Sequence, residues 1–190
     1  MKAVVEQIVS ALSRPGSVIV IGTDTVYGLV ARAVDNDAVN RLYSLKNRRA
    51  KPGTLLAANI DQLVQLGLKR RYLRAVEQFW PGAVSVVIPA GNPALFYLTQ
   101  GLPDLAVRIP DNQFVLSILR SSGPLMSSSA NLPGEKPAET IQQAYDYFGN
   151  RVDAYFDAGN LAGRAPSTVI RVVDDAIEVL RQGGVVIDDR

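Results

Sequence analysis

A single-domain α/β fold, with a twisted mixed sheet flanked by helices, is the class that the sequence predicts. Apolar segments typical of buried strands alternate with amphipathic helical segments along most of the chain. The last three strand segments follow one another without helices between them, so part of the sheet is expected to be antiparallel. The chain has 190 residues, 47% of them hydrophobic, and no low-complexity linker, which suits one domain spanning 1–190.

Short apolar runs predict the strands, and apolar residues at helical spacing predict the helices. The predicted strands are 17–21, 54–58, 83–88, 105–109, 125–128, 154–156, 168–172 and 177–180. The predicted helices are 3–12, 37–46, 61–66, 72–79, 112–119 and 140–148. Gly and Pro residues punctuate these segments, as Pro81 and Gly82 do after the fourth helix.

The chain contains neither histidine nor cysteine. This excludes Ser-His-Asp and Cys-His nucleophilic machinery, as well as zinc sites of the usual kind. Catalysis would have to use carboxylates, Lys and Arg, hydroxyls, backbone groups or a hard cation such as magnesium. These groups suit phosphoryl and nucleotidyl transfer, in which positioning and charge neutralisation dominate.

The formal net charge is +2, from 20 Lys and Arg against 18 Asp and Glu, which is too near neutral to predict nucleic-acid binding. Charged residues interrupt the N-terminal segment too early for a secretory signal. No apolar run approaches the roughly 20 residues needed to cross a bilayer. We therefore expect a cytoplasmic protein without a membrane partner.

Two polar loops follow apolar strands, where ligands gather in open α/β sheets. Residues 22–29 read Gly-Thr-Asp-Thr-Val-Tyr-Gly-Leu, and residues 127–134 read Ser-Ser-Ser-Ala-Asn-Leu-Pro-Gly. The first loop offers two hydroxyls and a carboxylate, although a strand-to-helix turn capped by Thr or Asp has the same composition. The second could hold an anion with its hydroxyls and amides; an ordinary surface turn is the alternative.

Cationic side chains stand out in two further segments. Residues 46–52 carry four cations near a predicted helix C-terminus, which fits either a triphosphate clamp or a helix end whose dipole favours positive charge. Arg108 lies inside the apolar run 105–109. In a central strand it needs a carboxylate from the protein or from a substrate, and at an edge it would face water. We favour the paired arrangement.

Taken in order, these segments resemble the motifs of the threonylcarbamoyl-AMP synthase family, the YrdC-like proteins. That pattern runs Pro-Thr-x-Thr-x-Tyr-Gly-Leu, Lys-x-Arg-Pro, Trp-Pro-Gly, Val-Arg-x-Pro, Ser-Ala-Asn-x-Ser-Gly, Pro-Ser-Thr and Leu-Arg-x-Gly. The corresponding segments here are 22–29, 46–49, 80–82, 107–110, 129–134, 166–168 and 180–183. Each motif alone is weak, but seven in the same order cover nearly the whole chain.

The resemblance implies a YrdC/RibB-like fold with a positively charged cavity, in the short single-domain form. It also implies an ATP-dependent nucleotidyltransferase that converts L-threonine, bicarbonate and ATP, with Mg²⁺, into threonylcarbamoyl-AMP and pyrophosphate. The product would pass to a downstream threonylcarbamoyl transferase complex that modifies tRNA adenosine. Weak binding of tRNA or other RNA belongs to the same expectation.

Site residues are also implied by the resemblance. Lys46 and Arg48 match the pair that binds phosphate and is expected to be catalytic. The residues that match ATP contacts are Lys46, Arg48, Lys51, Ser129, Asn131 and Arg181. Those that match positions near threonine are Thr25, Arg108, Ser127 and Ser167, with Arg108 on the threonine carboxylate. No metal-ligating residue is implied.

Four positions depart from the family pattern. Gly22 and Arg49 each replace a Pro, and Pro133 replaces a Ser. Leu56 occupies the place where many members carry a His. These changes alter loop shape more than charge, so they bear on individual contacts more than on the activity.

Two other classes of function are open at this stage. The basic segment 69–74 could make the chain an RNA-binding module without catalysis, or could be a solvated helix start. YrdC-like domains also occur inside transferases that use carbamoyl phosphate, although those chains are long and multidomain.

Overall fold

The sheet of this computed structural model is mixed, and it is described for residues 1–47, 51–174 and 176–187. Its strands are β1 (Ile19–Gly22), β2 (Tyr27–Arg32), β3 (Thr54–Leu56), β4 (Val84–Pro89), β5 (Asp104–Arg108), β6 (Leu125–Ser129), β7 (Ala154–Tyr155), β8 (Thr168–Val173) and β9 (Ala176–Arg181). In these ranges the strand order is β7-β1-β2-β6-β3-β5-β4-β8-β9. The pairs β1–β7, β3–β5 and β4–β8 are parallel and the other neighbours are antiparallel, which confirms the predicted mixed sheet.

Helices connect most of the strands, and side-chain caps begin four of them. The helices are α1 (Lys2–Leu12), α2 (Asn36–Leu45), α3 (Ile60–Leu66), α4 (Arg70–Arg74), α5 (Phe96–Thr99), α6 (Gln113–Ser122) and α7 (Ile141–Phe148). The N-cap side chains of α2, α3, α6 and α7 are Asp35, Asn59, Asn112 and Thr140. Each accepts a hydrogen bond from a backbone amide of the first turn, which satisfies a donor that the helix itself leaves unpaired.

Apolar residues are buried on both faces of the sheet. Strand side chains alternate between faces, and β1 shows this directly. Val20 belongs to one buried cluster with Leu29 and Val107, whereas Ile19 and Ile21 belong to a second cluster. α1 and α6 cover the second face, where Ile8 and Ile118 pack. Because both faces are covered, β1 is buried along its whole length.

Two segments differ from the interpretations of the sequence. Residues 22–29 do not form the strand-to-helix turn that was one interpretation of their composition. β1 and β2 pair antiparallel across a short turn, and Tyr27–Arg32 is a strand whose two-sided burial removes the alternation that would have revealed it. The helix predicted at 72–79 ends at Arg74, and a short 3₁₀ turn at Glu77–Phe79 replaces its second half. α5 was not predicted.

The strand order brings three of the polar segments together. β6 lies between β2 and β3, so Ser127 is opposite Val30 on one side and Thr54 on the other. β5 follows β3, with Arg108 opposite Leu56. Gly53 permits this close packing at the start of β3, because a Cβ there would lie 2.2 Å from the carbonyl oxygen of Ser127.

Within residues 1–47, 51–174 and 176–187, none of the helices combines the length and the apolar character that a membrane span requires.

Candidate active site

A cavity of about 480 Å³ opens where these strands meet. Its lining includes six of the residues implied by the motifs: Thr25, Arg108, Ser127, Ser129, Ser167 and Arg181. All four residues assigned to threonine are among them. Segments far apart in the sequence therefore supply hydroxyls and two guanidinium groups to one concave surface.

Arg108 is buried, with 4% of its surface exposed, in the central strand β5. Both carboxylate oxygens of Asp24 lie 2.6 Å from its Nη1 atom. The Nε atom of Arg108 is buried and makes no hydrogen bond. The paired arrangement is thus the correct one, and a carboxylate of the protein is the partner.

The turn that carries Asp24 is closed by the Thr23 side chain. Its hydroxyl donates to the carbonyl oxygen of Val26 at 2.7 Å and accepts from the backbone amide of Thr25 at 3.2 Å. The hydroxyls of Thr23 and Thr25 lie 3.0 Å apart. This local network fixes the conformation of the turn, and Thr25 lies on the cavity wall.

The charge pattern suggested that Lys46 lies at an exposed helix end, but the structure shows it buried. It follows α2 with 2% of its surface exposed, and its Nζ atom donates to the carbonyl oxygen of Ser129 and to Oδ1 of Asn131, each at 2.8 Å. The carbonyl oxygen of Asn131 is a further acceptor. The lysine is buried because backbone and amide oxygens of the loop after β6 replace its hydration.

The residues assigned to ATP divide between two neighbouring depressions. Ser129 and Arg181 line the first cavity, whereas Lys46, Lys51 and Asn131 line a wider one of about 1240 Å³. The Ser129 hydroxyl donates to Oδ1 of Asn131 at 2.6 Å, so this pair and Lys46 form one network between the two. Arg48 and Arg49 lie outside the described residues.

Arg181 is held at the end of β9 by the segment that precedes β8. Its Nη2 atom donates to the carbonyl oxygen of Ser167 at 2.7 Å and to the Ser167 hydroxyl at 3.2 Å. The hydroxyls of Ser85 and Ser167 lie 2.9 Å apart. A Cβ on Gly183 would come within 2.2 Å of the carbonyl oxygen of Pro166. The glycine of the Leu-Arg-x-Gly segment therefore allows β9 to approach Ser167 and aim Arg181.

Tyr27 and Gly22 anchor the segment after β7. The Tyr27 hydroxyl lies 3.0 Å from Oδ1 of Asp157 and accepts from the Ala158 amide at 2.8 Å. Burial raises the pKa of Tyr27 above its ordinary value. A Cβ on Gly22 would lie 2.3 Å from the Cβ of Ala158, which gives a steric reason for glycine at this departure from the family pattern.

The basic segment 69–74 has intramolecular partners for three of its cations. Arg70 pairs with Asp61 at 2.7 Å and Arg74 with Glu77 at 3.4 Å. Arg71 lies over the ring of Tyr72, at 4.7 Å from its centroid. These contacts favour the solvated helix start over an RNA-binding surface.

Asp24 was not predicted from the sequence to be the partner of Arg108. The carboxylate was visible between two threonines, but the two positions are far apart in sequence. A buried arginine in a central strand signals that a carboxylate is needed, and only the strand order shows which one supplies it.

Curated relatives cover most of this chain. Threonylcarbamoyl-AMP synthase of Bacillus subtilis is 36% identical over 182 residues, which are 93% of this chain and 52% of that protein. The protein of the same name from Vibrio campbellii is 31% identical, with 94% of this chain and 98% of the relative covered. The chain spans about half the length of the B. subtilis and Pyrococcus abyssi relatives that it matches.

Solved structures have the same fold. P. abyssi Sua5 complexed with L-threonine superimposes with a TM-score of 0.84 at 28% identity, covering 97% of this chain and 55% of that one. Escherichia coli YciO gives a TM-score of 0.82 at 24% identity, with 97% and 91% covered, and supports the fold alone. The family model Sua5_yciO_yrdC, described as telomere recombination, matches residues 11–183. The chain therefore belongs to the Sua5/YciO/YrdC family.

Proposed function

We propose that this chain is a threonylcarbamoyl-AMP synthase, an ATP-dependent nucleotidyltransferase that forms threonylcarbamoyl-AMP and pyrophosphate from L-threonine, bicarbonate and ATP. The observation that carries the proposal is the convergence of Thr25, Arg108, Ser127 and Ser167 on one cavity beside the Ser129–Asn131–Lys46 network. Relatives with this name, and the threonine complex of P. abyssi Sua5, support it.

On the threonine side, Arg108 is the group suited to the amino-acid carboxylate. It lines the cavity, is almost fully buried and presents a planar guanidinium group that can form two parallel hydrogen bonds. The hydroxyls of Thr25, Ser127 and Ser167 would bind the polar atoms of threonine. Ser127 lies in β6, Thr25 lies in the short turn between β1 and β2, and Ser167 immediately precedes β8, so the sheet sets their positions.

On the nucleotide side, Ser129, Asn131 and Arg181 would contact ATP, with Lys46, Arg48 and Lys51 on its phosphates. Lys46 already binds the loop that carries Ser129 and Asn131. Its positive charge therefore lies where it stabilises negative charge near that loop and holds the loop in shape. Arg181, fixed against Ser167, places a second cation between the two substrate regions.

The chemistry requires no protein nucleophile. The amine of threonine bonds to the carbon of bicarbonate, with loss of water, and gives an N-carboxylate. An oxygen of that group attacks the α-phosphorus of ATP in line, and pyrophosphate leaves. The chain's contribution is to bring three substrates together and to neutralise developing charge, which agrees with a site of hydroxyls and cations.

Mg²⁺ would enter with ATP. It favours oxygen ligands, keeps several waters and is commonly bound through substrate phosphates. The described lining of the first cavity offers hydroxyls and the carboxylate of Asp104, a donor set that fits an ion held mainly by phosphate oxygens and water. Bound there, Mg²⁺ would neutralise charge on the triphosphate.

The wider setting follows from the same reaction. Residues 1–190 would act as one YrdC-like domain, in the cytoplasm, where ATP and the tRNA substrate of the pathway are found. The activated product would be consumed by a threonylcarbamoyl transferase complex. Direct contact with tRNA would be weak, since most cations of segment 69–74 already have partners.

Pyrophosphate release should require ATP, Mg²⁺, L-threonine and bicarbonate together. Each substrate contributes an atom to the bonds that form, so omission of any one should reduce release to background. The measurement is a coupled pyrophosphate assay in which each component is left out in turn, with bicarbonate removed by degassing. Undiminished release without threonine would contradict the proposed synthase.

A further inference from the structure

We propose that Asp24 is a positioning residue for threonine recognition, acting through Arg108. The inference rests on the proposed function, in which Arg108 binds the threonine carboxylate. Asp24 places both oxygens 2.6 Å from a single nitrogen of the guanidinium group, Nη1. The side chains of the pair are 5% and 8% exposed, so this contact is sheltered from water.

Only one member of the Asp24–Arg108 pair lines the cavity. Arg108 lines the cavity, together with Thr23, Thr25 and Val26, but Asp24 is not among the residues of the lining. Asp24 therefore contacts Arg108 from the side of the turn and does not face a ligand in the cavity. With Asp24 held against Nη1, the guanidinium group is restrained on one side, and its buried Nε atom makes no hydrogen bond.

The turn between β1 and β2 holds Asp24 in a defined position. Hydrogen bonds from Thr23 to Val26 and from the Thr25 amide to Thr23 hold the backbone on both sides of Asp24. An arginine side chain has several rotatable bonds, and binding a carboxylate at two points requires the guanidinium plane in one orientation. A buried carboxylate on a rigid turn supplies that orientation before the substrate arrives.

The opposite role for Asp24 makes the opposite prediction. If Asp24 occupied the position that the threonine carboxylate needs, it would compete with substrate, and its removal would tighten threonine binding. A positioning residue gives weaker binding on removal. The sign of the change in threonine affinity thus separates the two roles.

The test uses Asp24→Asn, which keeps the shape and removes the charge, and Asp24→Glu, which keeps the charge. We expect Asp24→Asn to raise the dissociation constant and the KM for L-threonine about tenfold or more, and to leave the KM for ATP within about twofold. Asp24→Glu should recover part of the threonine affinity. Asp61→Asn, which removes an exposed carboxylate paired with Arg70, is the matched control and should behave as wild type.

A double-mutant cycle distinguishes positioning from a general structural effect. In the Arg108→Met background, adding Asp24→Asn should not raise the KM for threonine further, because the residue through which Asp24 acts is gone. The double variant also removes both buried charges, so it keeps the test valid if Asp24→Asn alone does not fold. Additive losses of threonine affinity in the double variant would overturn the proposal.

Calorimetric titration with L-threonine separates this inference from the proposed function. Failure of the wild-type chain to release pyrophosphate would contradict the synthase activity, while the titrations of wild type and Asp24→Asn would still decide the role of Asp24. Equal or tighter threonine binding by a folded Asp24→Asn variant would overturn the inference, even if the wild-type enzyme is active.

Discussion

Arg108→Lys should raise the KM for L-threonine by about ten- to hundredfold, corresponding to the loss of a charge-assisted contact of roughly 1.5–3 kcal/mol. Lysine keeps the positive charge but not the planar group that can bind Asp24 and a carboxylate at once. The KM for ATP should change little, because the nucleotide is proposed to use Ser129, Asn131 and Arg181. Steady-state kinetics with each substrate varied in turn measures both constants.

Arg108→Met adds a stability test to the kinetic one. With Asp24 as its partner, Arg108 cannot be removed without leaving a buried carboxylate unpaired, so we expect a loss of about 3 kcal/mol in the free energy of unfolding. Wild-type threonine dependence in Arg108→Lys would instead make Arg108 a structural residue and move the carboxylate site towards Ser127.

Lys46→Ala should lower both the stability and the affinity for ATP. The substitution leaves oxygens of Ser129 and Asn131 without their buried donor, and we expect a loss of about 3 kcal/mol, a large share of the stability of a typical domain. The KM for ATP should rise about tenfold or more, since the loop that carries Ser129 and Asn131 loses its anchor. Chemical denaturation and ATP-dependent kinetics measure the two effects.

Lys51→Ala is the matched control for the stability effect alone, because Lys51 is itself proposed to contact the phosphates of ATP. Lys51 is exposed and does not belong to the buried network, so its removal should leave the free energy of unfolding within about 0.5 kcal/mol of wild type. A Lys46→Ala variant with wild-type stability and wild-type KM for ATP would contradict the role given to the network.

The sequence was informative about the elements of this fold and less so about the partners of its charges. The mixed α/β class followed from local patterns, whereas β2 was missed because burial on both faces removes the alternation of a strand. The sequence showed that a buried Arg108 needs a carboxylate partner. It did not show that Asp24 is this partner, because the strand order brings the two residues together. Lys46 read as a surface cation because local charge does not show that a distant loop folds over it.

The steric reasons for Gly22 and Gly183 could not be predicted from the sequence either. Gly22 departs from the family pattern because a Cβ there would clash with Ala158, and Ala158 is too distant in the sequence for a local pattern to reveal this contact. Gly183 could be matched to a motif, but its function, letting β9 approach the segment before β8, depends on tertiary packing. Site geometry set by long-range contacts therefore required the structure.

Threonine, bicarbonate and ATP are proposed to meet in one site formed by the two neighbouring cavities, and isotope-labelled bicarbonate tests this most directly. The chain would be incubated with labelled bicarbonate, L-threonine and MgATP, and the nucleotide products would be analysed by mass spectrometry. We expect an adenylate that carries the labelled carbon, forms only when threonine is present and is lost in Arg108→Lys at low threonine. An unlabelled adenylate, or a product that forms only when carbamoyl phosphate is supplied, would contradict it.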